Sequence, residues 1–336
     1  MNFLFAWRYF KSKKSTNAIN IIAWISVLAI GVGTAALIIV LSVFNGFEDL
    51  VKSLYGDFYS DIKITAAQGK VCRLTRSQLD SIRRVEGVKG LSLMAEEKAV
   101  LKNQDAQSII FLKGVDDNYV TVNRVHTHVA RGEYDLGTVD APALLVGAGI
   151  ESAVAVDPTA NFYPLVVYLP NRKASSLRTE DALYSENIDV TGTFTVQQEF
   201  DNKYAFTNLA FMKYMLDMQP DEYTGAEIVT SGGSESHIDE VKEKLQQLLG
   251  DGYRVESRYE QNLSLYTVMQ MEKWVIYGIL CLILVVAAFN MIGALTMLVL
   301  EKQKDIAVLK AMGADRGYIQ SIFLSEGFLL AIIGGG

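Results

Sequence analysis

His126 and His128 stand two apart in RVHTHV, a spacing that would set both imidazoles on one face of a strand and offer two nitrogen ligands to a metal. A metal centre needs three or four ligands. Neither cysteine (Cys72, Cys281) nor the remaining histidine, His237, lies near them in the chain, so a surface role fits the pair better. No GxxxxGKS or GxxxxGKT phosphate loop occurs, and no serine sits in a GxSxG context. The sequence thus offers no catalytic constellation, no metal set and no nucleotide site. Any energy that drives this protein is supplied from outside it.

Residues 301–314, EKQKDIAVLKAMGA, suggest how. Ile306, Leu309 and Met312 recur at i, i+3 and i+6, flanked by Asp305 and Lys310, and Gly313 and Ala314 end the turn. So short an amphipathic helix is marginal alone. A groove on another protein would bury its stripe, and the alternative is a helix lying in the lipid interface. The segment lies between two apolar stretches, where no core of its own is available.

Those stretches are the elements that position it. The chain has 336 residues, 50% of them hydrophobic, with a net charge of −7, and these averages hide two populations. Residues 21–44 carry no charge over 24 positions, and residues 274–300 none over 27. At ~1.5 Å per residue each run reaches roughly 36–40 Å, enough to cross a hydrocarbon core of ~30 Å. The first run is too long for a cleaved signal peptide and is expected to stay as an anchor. A third apolar stretch, residues 318–336, begins after a short cytoplasmic segment at 301–317 and stops on three glycines; the chain is expected to break off inside or just after this span. Glu326 falls within it, where an ionisable group is costly.

Arg8, Lys11, Lys13 and Lys14 precede the first run, and Lys302, Lys304, Lys310 and Arg316 follow the second, so both flanks are expected in the cytoplasm. Phe3, Phe5, Trp7, Tyr9 and Phe10 alternate with those first cations, the pattern of an interfacial helix over residues 1–20. Positions 46–273 hold 23 basic against 34 acidic residues, a net of −11, and must lie on the other side of the membrane. No basic stripe points to nucleic acid. The two cysteines, one mid-span and one outside, cannot form a disulfide framework.

Residues 46–272 are patterned as a globular α+β domain. Strands are expected at 61–65, 91–102, 108–115, 143–147, 163–169, 188–196 and 253–256. A capping box at Thr75 and Gln78 opens a helix through Arg84, and Ile238, Val241, Leu245, Leu248 and Leu249 mark another. Helices and strands alternate at both ends with mostly strands between. Two lobes follow, the β-rich one inserted over roughly residues 116–196. A polar segment at 170–186 links two of its strands.

Three segments are recognisable: AWRYFKSKKS at 6–15, ALIIVLSVFNGFE at 36–48, and the run from MEKWVIYG to KAMGA at 271–314. The chain resembles the lipoprotein-releasing permeases of LolC and LolE type, within the FtsX/MacB-like superfamily of ABC transporter membrane subunits. That resemblance implies four spans and a large periplasmic domain between the first two. It implies that Asp305, Ile306, Leu309, Lys310, Met312, Gly313 and Ala314 form a coupling helix on a cytoplasmic ATPase, which uses ATP and Mg itself and leaves this chain without a cofactor. The first two spans would bound a cavity for acylated lipoprotein cargo and membrane lipid, with Val43, Phe44, Phe47, Met269 and Ile276 as candidate lining. Members work as homo- or heterodimers with a second permease subunit, and hand cargo to a periplasmic carrier. Arg172, Lys173 and Arg178 are the candidate carrier contacts here. ATP binding would move the coupling helix, the spans would carry that motion outward, and the cavity would shrink. An efflux or cell-wall-hydrolase regulator of the same superfamily is the alternative. A two-span sensor is disfavoured by the third apolar stretch.

Overall fold

The computed structural model describes residues 17–160, 164–171 and 183–335. Nearly all of the interfacial helix expected over 1–20, and Arg172, Lys173 and Arg178, lie outside those residues. The chain falls into two compact units. One gathers the chain up to Asp49 and from Leu265 onward; the other is Leu50–Ser264.

Helix α1 is Asn17–Phe58, 42 residues without a proline. It is longer than the uncharged run because NGFEDLVKSLYGDF continues the helix with polar residues. Hydropathy alone places the end of the span at 44, whereas the boundary between the units lies at Leu50. Ile38, Ile39 and Val43 are exposed along it, as apolar side chains facing lipid should be.

The large domain follows in the order β1 (Ile62–Ala66), β2 (Cys72–Arg73), α2 (Arg76–Arg83), β3 (Val88–Asn103), β4 (Ala106–Val115), α3 (Tyr119–Val122), β5 (Val129–Gly132), β6 (Ala143–Gly147) and α4 (Ala148–Val154). It continues through β7 (Leu165–Pro170), β8 (Leu183–Phe194), α5 (Gln198–Asp201), β9 (Tyr204–Asn208), α6 (Leu209–Met215), β10 (Glu222–Tyr223), β11 (Gly225–Thr230), α7 (Glu235–Leu249), β12 (Tyr253–Ser257) and α8 (Arg258–Gln261). The expected capping box opens α2: the Gln78 backbone N–H donates to Thr75 Oγ1 at 3.3 Å, and Thr75 N–H donates to Gln78 Oε1 at 3.0 Å. Leu79 and Ile82 are thereby turned into the core. Thr75→Ala is expected to cost about 1 kcal/mol in urea unfolding of the domain, with no change in the slope of the transition. β3 and β4 form a hairpin in which Asn103 pairs with Ala106, and Gln104 takes φ +51° at the first position of the two-residue turn.

The sheet order is β12-β1-β11-β3-β4-β9-β6-β8-β5, and β7 pairs with both β3 and β8. The ladder β3-β4-β9-β6-β8-β7 therefore returns to β3 and closes into a barrel, which leaves those strands no free edge. Ala99, Leu101, Leu112, Leu144, Val146, Leu165, Val167 and Val190 fill it, together with Phe211 and Met212 of α6. A second core lies under α2 and α7 and is built from Ile62, Ile64, Leu91, Leu93, Ile228, Val241 and Leu245. The two lobes expected from the sequence are thus two cores on one sheet. The core drawn from residues 95–216 is inserted between the segments 62–93 and 223–255 that build the other, and β3 runs through both.

The end of α1 is buried in this domain. Phe58 stacks on Phe200 at 4.0 Å between centroids and meets Tyr204 and Phe206 edge-on. Tyr55 donates its hydroxyl hydrogen to Glu199 at 2.8 Å. Burial pushes the Tyr59 phenol up to about 12.

The chain returns to the first unit through α9 (Leu263–Glu301), α10 (Gln303–Ala311) and α11 (Arg316–Gly335). Trp274 and Phe289 are among the exposed apolar residues of α9. α10 stops in a Schellman motif: Gly313 has φ +90°, its N–H donates to Lys310 O at 3.0 Å, and Ala314 N–H donates to Leu309 O at 3.0 Å. Asp315 then receives the Arg316 and Gly317 N–H groups and opens α11.

Candidate functional site

Two features of the first unit bear on function. The first is a groove of about 490 Å³ between α1 and α9. Val43, Phe44 and Phe47 line it from α1, and Val268, Met271, Val275 and Ile276 from α9, with Glu272 the polar member. Four of the five lining residues proposed from the sequence meet here. Met269 is not in the lining: it is buried, at the edge of the face set by 268, 271, 272, 275 and 276. That i, i+3, i+4, i+7 spacing was the signal available for Val268, Met271 and Val275. Next to the groove, Lys273 donates to Glu48 at 2.9 Å and straps the two helices together. Further along, Ile283 of α9 packs beside Gly33 of α1, its Cγ2 3.8 Å from where a Cβ would stand, an ordinary contact distance. The groove between these two helices is open and apolar apart from Glu272, a lining with no chemistry of bond-breaking. It can hold alkyl chains.

The second feature is α10. Ile306 and Leu309, expected to face a partner, instead face Tyr318, Ile319, Ile322 and Phe323 of α11 across a small crevice. The stripe is present; the next helix half-buries Ile306 and Leu309, and Met312 stays exposed. Gly313 and Ala314 form the helix stop, Gly313 exposed and Ala314 half-buried. What remains outward is Val308 at 58% exposure and Met312 at 78%, with Lys304, Asp305 and Lys310 around them. A Lys302–Asp305 ion pair at 3.4 Å braces the first turn.

The histidines do not form a site. His126 and His128 lie in a 3-10 turn, Val125–His128, so the strand that would have aligned them is absent. His128 Nε2 is 3.1 Å from Asp57 Oδ2, and His126 packs edge-on to Tyr134. Among the described residues no group of three His, Cys, Asp or Glu side chains is placed to hold a metal. Cys72 is buried, and its thiol is pushed up to about 11 by that burial, so it is no nucleophile.

The sequence profile of the FtsX-like permease C-terminal region matches residues 277–336, the part that holds most of α9 with α10 and α11. That of the MacB-like periplasmic core domain matches residues 23–248, from α1 through α7. The chain belongs to the FtsX-like permeases with a MacB-like periplasmic core domain. Among curated relatives of this permease, the lipoprotein-releasing system transmembrane protein LolC of Xylella fastidiosa is 26% identical over 97% of this chain and 77% of its own. The corresponding LolE of Haemophilus influenzae is 25% identical with the same coverage. Among solved structures, the extracellular domain of the ABC-type transporter YknZ aligns with a TM-score of 0.42 and 13% identity, over 58% of the permease and 99% of that chain. The permease is accordingly a membrane protein of α-helical spans with a large α+β domain.

Proposed function

We propose that this permease draws acylated lipoproteins out of the bacterial inner membrane and passes them to a periplasmic carrier. It does so as the moving part of an ABC transporter whose ATPase is a separate cytoplasmic subunit. The observation that carries the reading is the apolar groove of Val43, Phe44, Phe47, Met271, Val275 and Ile276 in a permease whose relatives are named lipoprotein-releasing proteins. Each CH₂ of an acyl chain resists leaving lipid by about 0.8 kcal/mol, so a cargo with two or three chains needs both external work and an apolar way-station. The groove is the station, and α10 is where the work enters. The permease itself catalyses nothing and holds no cofactor; ATP and Mg belong to the partner subunit. Its N-terminus lies in the cytoplasm and its large domain in the periplasm, supported by the basic flanks of the spans. It pairs with a second permease subunit.

Release of a radiolabelled lipoprotein from spheroplasts into added carrier tests the proposal. Phe47→Asp puts an unpaired charge into the slot and is expected to cut release by about tenfold or more, while the ATPase still copurifies. Undiminished release would remove the groove from the mechanism. Export of an unacylated substrate in place of lipoprotein would favour the efflux alternative.

A further inference from the structure

The turn that follows α1 and the turn that precedes α9 are tied to each other inside the large domain. Asp61, just after α1, is buried and has both carboxylate oxygens occupied. Oδ2 accepts from Thr230 N–H at 2.7 Å and from Thr230 Oγ1 at 2.9 Å; Oδ1 accepts from Arg258 Nη2 at 2.5 Å. Arg258, just before α9, returns a second bond from its backbone N–H to Asp61 O at 2.9 Å. Gln261 Nε2 reaches Ser60 O at 3.4 Å. The guanidinium crosses α1 at Gly56, where any Cβ would come within 2.9 Å of Nη1. Its Nε is buried without a hydrogen-bond partner. The departing turn is fixed in its own right by the Ser257–Glu260 capping box and by Lys242 of α7, which donates to Glu260 at 2.9 Å.

A surface ion pair would add little here. This one is largely withdrawn from water, carries a main-chain donor of β11, and has a glycine placed where a side chain would block it. Had the two turns only needed to be polar, none of those three conditions would follow. We propose that Asp61 and Arg258 are positioning residues for transport. Their ion pair yokes the turn leaving α1 to the turn entering α9 and to β11, so that the large domain receives displacement of the two helices as one input. The inference rests on the reading of the chain as a motor-driven permease.

The test uses the whole permease with its copurifying ATPase, in nanodiscs and in spheroplasts. Three variants are compared: Arg258→Gln, Asp61→Asn, and Gly56→Ala, which presses on the guanidinium from the α1 side without touching Asp61. Backbone hydrogen exchange is expected to speed up by about tenfold over residues 257–262 and at β11, with Leu144 and Val146 in the barrel unchanged. ATP hydrolysis stays within about twofold, and lipoprotein released per ATP falls by about tenfold. Exchange that accelerates with release per ATP unchanged overturns the yoke, and so does loss of hydrolysis and release in equal proportion. If an ion-pair variant fails to reach the membrane, the Gly56→Ala result decides. If the wild type releases no lipoprotein, the transport reading is what fails. The yoke is then judged by whether the ATP-dependent change in exchange at β11 disappears in Arg258→Gln, and its persistence would overturn it.

Discussion

Lys113→Met is expected to destabilise the large domain by about 3–5 kcal/mol, whereas Lys113→Met with Glu227→Leu together should lie near wild type or above it. Lys113 on β4 and Glu227 on β11 flank β3 and meet across it, Nζ to Oε1 at 2.5 Å, each side chain 3% exposed. The ammonium also donates to the Tyr119 hydroxyl at 3.2 Å and lies over the rings of Tyr119 and Phe206. Both charges have lost their water. Glu227 Oε2 gains no partner in exchange. Removing the cation alone strands a carboxylate among aromatic rings; removing both charges removes the desolvation penalty with the attraction. Urea titration of Leu50–Ser264 by circular dichroism measures this. A single variant within about 1 kcal/mol of wild type would show that water reaches the pair.

Met312→Asp should abolish copurification of the ATPase at normal permease levels, with a loss of at least about 2 kcal/mol in binding. Leu309→Asp should act differently. Its carboxylate enters the crevice against Tyr318, Ile319 and Ile322, so the pairing of α10 with α11 fails and less permease accumulates in the membrane. Quantifying permease and ATPase together in affinity-purified membranes separates the two outcomes. An unchanged ratio for Met312→Asp would move the docking face to Lys304 and Val308.

Local signals in the sequence located much of this fold. Thr75 and Gln78 mark the start of α2 because the cap is made by residues three apart, and Gln104 sits in a turn whose flanking strands alternate. Long-range pairing was hidden. The barrel closes when Val100 and Leu101 of β3 meet Tyr168 and Val167 of β7, and nothing in either segment names the other. β11 escaped notice for another reason: GAEIVT is buried almost throughout, so it lacks the alternation that betrays a half-buried strand. In the groove, Phe44 and Phe47 come from the family resemblance and do line it, whereas Met269 shares a helix edge with Ile276 and is buried outside the lining, which hydropathy alone cannot tell apart. At α10 periodicity revealed an apolar stripe but could not say what covers it.

β3 supplies Leu91 and Leu93 to one core and Ala99 and Leu101 to the other. A domain stitched by one continuous thread has no seam. The intact domain is expected to melt both halves together in a single calorimetric peak, and a nick in the middle of that strand to split it.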